Sequence, residues 1–195
     1  MNKLIFHTFA ITGITGTFYF GYKYLNQGSC CYFPREKDPS QNILRIGTSG
    51  HIQCLKKYIK SGSDVNQKDP FEYTLMHWAV IKQNLEWGEL LVKSSPSIVN
   101  IKGGYWGNTP LHFASSENKE FVQFLISSGA SINAQNDEGN TPLHNALISQ
   151  KEENAEILRQ AGADPKIKNI YGKTAREEGI CVLHDNLKIS KIFES

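Results

Sequence analysis

Seven residues recur almost unchanged: NTPLHFA at 108–114 and NTPLHNA at 140–146. Their threonines lie 32 residues apart. Weaker copies stand 35 residues before Thr109, as TLMHWA from Thr74, and 33 after Thr141, as GKTA around Thr174. A unit of that length buries too little apolar surface to fold alone, so each copy must complete its core on its neighbours. The residues also have local roles. Thr109 and Thr141 suit helix N-caps, and Pro110 and Pro142 fall at the first helical position, where a missing N–H costs nothing. Leu111 with Ala114, and Leu143 with Ala146, share one helical face. Gly139 and Gly172 stand two residues before the cap, where a tight turn needs positive φ.

This spacing and the Thr-Pro-Leu-His-x-Ala set resemble the ankyrin repeat. The resemblance implies an all-α ankyrin-repeat solenoid of helix-turn-helix units with short hairpin fingers, preceded here by a single N-terminal apolar helix. The expected organisation is a membrane anchor or signal-like segment over 1–26, a linker over 27–41 and an N-terminal capping repeat over 42–68. Full repeats follow over 69–104, 105–136 and 137–168, with a C-terminal cap over 169–195. Helices are expected over 74–82, 85–93, 109–116, 119–127, 141–149 and 153–160. In the first cap, a short helix from Asn42 leads through Gly50 and His51 to the apolar stripe Cys54, Leu55, Tyr58 and Ile59. The repeat over 69–104 departs most from the family: Leu75 replaces the helix-opening proline, Glu72 the hairpin glycine, and Ser95, Pro96 and Ser97 the Gly-Ala-Asp turn, with one residue extra. Asn118 replaces the glycine between helices and is expected at positive φ. Residues 173–179 form a polar helix suited to a water-facing cap, and 180–195 a last helix.

Composition narrows the function. With 39% hydrophobic and 21% charged residues the chain is globular in character. A net charge of +2 and no basic run argue against nucleic acid. Cys30, Cys31, Cys54 and Cys181 have no zinc-type spacing, and no Asn-x-Ser/Thr sequon occurs, which fits a reducing compartment.

Residues 4–22 carry no formal charge, lie between Lys3 and Lys23, and are long enough to cross a bilayer. A single-pass anchor is the leading reading. A cleaved signal or targeting segment, a lipoprotein-type processing site at Cys30 and a partly buried apolar helix stand beside it. Lys23, Arg35, Lys37 and Arg45 follow the segment against Lys3 before it, which places the repeats on the cytoplasmic side. Gly13, Thr17 and Gly21 share a face and would allow weak self-association. Cys30 and Cys31 would then lie near the membrane surface, where an acyl chain is one reading and unmodified thiols the other.

His77, His112 and His144 invite a metal reading. They occupy the same place in successive units, whose helices stack ~8–10 Å apart, too far for one zinc at ~2 Å from every nitrogen. The resemblance implies that each bonds its own threonine and the backbone of the next turn. Gly103 and Gly104 read as turn residues, no catalytic or phosphate-binding set is present, and no metal or cofactor is expected. Protein binding is the expected role, against an enzyme or a membrane oligomer as rivals. Carried over by position, the fingers are 67–73, 101–107, 134–139 and 168–171. They hold Phe71, Tyr73, Tyr105, Trp106 and Tyr171, while Ile81, Ser116 and Ile148 face the same groove from the first helices. Aromatics of low side-chain entropy are common interface anchors. Packing on adjacent fingers is an equal alternative for Phe71, Tyr73 and Tyr171; binding is favoured for Tyr105 and Trp106.

Overall fold

The computed structural model describes residues 40–182. Among them nine α-helices form a row of antiparallel pairs: α1 (Ser40–Ser49) with α2 (Ile52–Lys60), α3 (Leu75–Ile81) with α4 (Leu85–Ser94), α5 (Pro110–Glu117) with α6 (Lys119–Ser127), α7 (Pro142–Ile148) with α8 (Glu152–Gln160), and then α9 (Ala175–Val182). The first helices stack in the order α1, α3, α5, α7, α9, and the second helices form an outer layer. No described residue belongs to a strand ladder; isolated bridges join Gly103 to Asn108 and Lys168 to Thr174.

The core lies between the layers. Leu75, Leu111 and Leu143 of the inner helices and Leu91, Phe121, Leu125 and Leu158 of the outer ones are fully buried. Ala79, Ala114 and Ala146 are also buried, and their small side chains let successive layers close up. A side chain at Gly88 would strike the Phe124 ring at 2.7 Å, so this glycine is what brings α4 and α6 together. Cys54, Leu55 and Tyr58 are buried and Ile59 half-buried, as the stripe on α2 requires.

Each inner helix starts as its cap residues dictate. The Thr109 amide donates to Nδ1 of His112 at 3.1 Å, and the Thr109 hydroxyl lies 2.8 Å from the same atom. Thr74 with His77 and Thr141 with His144 repeat the arrangement. α3 begins immediately after its threonine without a proline, so the Thr–His pair sets the start. At Thr174 the partner is Glu177, which accepts from the amide at 2.7 Å and the hydroxyl at 2.8 Å. That is a Thr-x-x-Glu capping box.

Three expectations need correction. α1 is not short: it begins at Ser40 and has ten residues, more than α3, α5 or α7. Asn118 is not at positive φ. Its φ is −138°, and its side chain caps α6 by accepting from the Phe121 amide at 3.0 Å. The polar segment does not end at 179, because α9 continues to Val182. The apolar segment 4–22, with Gly13, Thr17 and Gly21, lies outside the described residues, as does 183–195. Among the described residues no helix is long and apolar enough to cross a membrane.

Candidate functional site

The fingers are built from asparagine and aspartate. Asn136 Oδ1 accepts from the amides of Glu138 at 3.0 Å and Asn140 at 2.9 Å, closing a turn with Gly139 at φ 73°. Asn169 holds Tyr171 and Lys173 in the same way, with Gly172 at φ 72°. Asp69 holds Phe71 and Tyr73, but its turn puts Glu72 at φ 66°. Glutamate in that region is strained where glycine is not. The finger between Gly103 and Asn108 is one residue longer and uses Gly104 and Gly107, at φ 69° and 60°.

Successive fingers are tied by backbone. The Gly104 amide donates to the Glu72 carbonyl at 3.1 Å, Asp137 to Trp106 at 3.0 Å, and Ile170 to Glu138 at 3.0 Å. Side chains add to this: Asn136 Nδ2 donates to Asn108 Oδ1 at 2.8 Å, and Asn169 Nδ2 to Asn140 Oδ1 at 3.0 Å.

The histidines couple this surface to the helices. Nε2 of His77 lies 3.0 Å from the Asn108 carbonyl, that of His112 2.9 Å from Asn140, and that of His144 3.2 Å from Lys173. An amide donates only and a carbonyl accepts only, so Nδ1 is bare and Nε2 carries the proton. Each ring is thus neutral, with both nitrogens used, between its own cap and the next finger. Burial pushes the pKa of His77 and of His112 down to about 4, and lowers that of His144.

The predicted surface residues separate into two groups. Tyr105, Trp106 and Tyr171 stand out at the tips, 72%, 50% and 63% exposed. Phe71, Tyr73, Ile81, Ser116 and Ile148 are half-buried. Tyr73 packs inward: its ring meets Phe113 edge-on at 5.6 Å and Trp78 at 6.2 Å, and lies 5.8 Å from His77. That places it with the structural aromatics. Ile81, Ser116 and Ile148 occupy matching positions of α3, α5 and α7, four residues after each histidine. Sequence reasoning missed Ile170, which is 65% exposed beside Tyr171; its place in the tip matches Tyr105 and was the available signal. It also missed Trp78, which lies over Gly47 of α1 and donates from Nε1 to Asp69 Oδ2 at 2.9 Å.

At the inter-helix turns, an open depression of about 400 Å³ is lined by Gln83, Glu117, Asn118, Glu120 and Gln150, with a Lys119–Glu153 ion pair of 3.1 Å. Its walls are polar and solvated and bring no nucleophile against a base. Among the described residues no three His, Cys, Asp or Glu side chains cluster as metal ligands do.

Comparison with known proteins agrees with this geometry. The family model for ankyrin repeats (3 copies) matches residues 44–136 and 106–169. Ankyrin repeat and SOCS box protein 6 of Homo sapiens is 31% identical over 144 residues, covering 69% of this chain and 34% of that protein. A Rickettsia bellii (strain RML369-C) protein named for its ankyrin repeats is 30% identical over 138 residues, 68% of this chain and 52% of that one. ZDHHC13 of Danio rerio, which carries a palmitoyltransferase name, is 28% identical over 140 residues, 71% of this chain and 22% of that protein. The chain thus spans between about a fifth and about half of these relatives' lengths. The chain belongs to the ankyrin-repeat family.

Proposed function

We propose that this chain is a non-catalytic, protein-binding adaptor that captures its partner on the fingertips and adjoining groove, and is tethered to a membrane by residues 4–22. Ankyrin repeats generally serve as protein-interaction modules. The observation that carries the binding surface is the exposure of Tyr105 and Trp106, at 72% and 50%, on a finger bonded through its backbone to both neighbours. Large apolar side chains held rigidly in water lose little entropy on binding. Ile170 and Tyr171 extend the surface two fingers on, while Phe71, Ile81, Ser116 and Ile148 form its half-buried margin.

The test is the double substitution Tyr105→Ala with Trp106→Ala, read by in-cell cross-linking and by thermal melting. Loss of the cross-linked partner is expected, with Tm changed by about 3 °C or less, because surface substitutions cost ~0.5 kcal/mol. A large fall in Tm would return both residues to structure.

Support for the tether is compositional: 4–22 has no formal charge, and Lys23, Arg35, Lys37 and Arg45 follow it. Gly13, Thr17 and Gly21 would let two such segments touch. Retention in carbonate-washed membranes, lost on deletion of 1–26, is the expected result. A mature N-terminus beyond residue 22 would favour the second reading, a translocated protein with a cleaved targeting segment.

A further inference from the structure

Three consecutive fingertips alternate in chemistry. The first carries Tyr105 and Trp106, the next Asp137 and Glu138, and the last Ile170 and Tyr171. The outer pairs are 50–72% exposed. Backbone bonds of 3.0 Å, from Asp137 to Trp106 and from Ile170 to Glu138, register the three. Their spacing therefore belongs to the fold and not to side-chain rotamers. Each finger is two chains wide, and hydrogen-bonded chains lie ~4.8 Å apart, so tips follow one another at ~10 Å. The two apolar tips stand ~20 Å apart, with acid midway.

We propose that this strip holds an extended segment of a partner protein in which a Lys or Arg is flanked, about three residues to either side, by apolar or aromatic residues. The inference rests on the reading of the fingers as the partner surface, and it names the chemistry that surface selects. An extended chain advances ~3.3 Å per residue, so six residues span the distance between the apolar tips. Charge complementarity sets the central residue. Lys102 Nζ approaches Asp137 Oδ1 at 3.8 Å with both side chains about half in solvent, a pair weak enough for an incoming cation to displace. Glu138 accepts from Asn140 Nδ2 at 3.2 Å, which orients its carboxylate without neutralising it. An acidic segment would meet two carboxylates there.

The test is selection from a random linear-peptide library on the full-length chain. Selected peptides are then titrated against the Asp137→Asn, Glu138→Gln double variant and against Trp106→Ala. The expected pool carries a basic residue with apolar residues about three positions away on each side. Neutralising the acids weakens binding about tenfold and flattens its salt dependence, Trp106→Ala weakens it about tenfold, and both variants melt as the parent does. No enrichment, a pool without a central cation, or affinity for the neutralised variant within about twofold of the parent overturns the inference. If Trp106→Ala still abolishes binding in such a case, the finger surface stands and its charge selectivity falls. If neither variant matters, both readings fall together.

Discussion

The repeats over 105–168 and the repeat over 69–104 have the same helices and different joints. Asparagine clamps hold the repeats over 105–168 to the units before them: Asn100, near the end of the preceding repeat, accepts from the Ser131 amide at 2.7 Å and donates to the Gly129 carbonyl at 3.1 Å. Asn133 grips the next turn through Asp164, at 2.9 Å. The matching residue one unit earlier, Asn66 near the end of the first cap, has its Oδ1 buried without a hydrogen bond. The turn that closes the repeat over 69–104 also differs. Ser95, Pro96 and Ser97 replace Gly-Ala-Asp, the chain runs as a 3-10 turn over Pro96–Asn100, and the Ile98 amide is used inside that turn, on Ser95. The fingers differ likewise: Gly139 and Gly172 turn without strain, whereas Glu72 holds φ 66°. Helix starts thus tolerate substitution, because a threonine and a histidine suffice. Joints between repeats do not, because each needs one particular backbone geometry.

Acid should act hardest on this comparison. The folded pKa of His77 and of His112 is near 4, below the unfolded value of 6.5. The unfolded chain therefore binds protons first, and stability complete above about pH 7 is lost as pH falls from 6.5 towards 4. Each ring contributes about 3 kcal/mol to that loss, so urea midpoints should fall steeply across this window. Asp69 runs the other way: burial raises its pKa, so the fold binds its proton more readily and the first finger gains relative stability in acid. Next in size, His112→Ala leaves the Thr109 amide unpaired and buried and takes one of two donors from the Asn140 carbonyl, which keeps the Asn136 amide, at about 3–5 kcal/mol in urea unfolding. Glu177→Ala, which removes a cap with no onward bond, should cost about 1 kcal/mol. Asn100→Ala should cost about 1–2 kcal/mol, against less than about 0.5 for Asn66→Ala, whose oxygen already lacks a partner. Equal costs would show that both clamps work. Smallest, Glu72→Gly should raise stability by about 0.5–1 kcal/mol by relieving its left-handed backbone. A loss would show that its 3.0 Å ion pair with Lys68 outweighs the strain.

The legible parts were those fixed by local chemistry. Helix starts after Thr74, Thr109 and Thr141, the buried stripe of α2 and the histidine bonds all follow from residues within a few positions of one another or from a repeated unit. What escaped turned on which of two roles a side chain takes, or on an element that no repeat residue marks. Asn118 looked like a glycine substitute, but a free amide at Phe121 makes capping the better use of its side chain. For Tyr73 the sequence left surface and packed roles equal, and the packed one is set by Phe113 and Trp78, which lie in two different helices. The length of α1 was hidden because no repeat residue marks its beginning.

The central claim is that neutral histidines join each cap to the following finger and so hold the fingertips as a rigid row. Long-range nitrogen–proton NMR of the three imidazoles tests it most directly. The account predicts that His77, His112 and His144 carry the proton on Nε2 at neutral pH, that it exchanges slowly, and that His77 and His112 stay neutral until about pH 4. Protons on Nδ1, or titration of these rings near the ordinary 6.5, would contradict it.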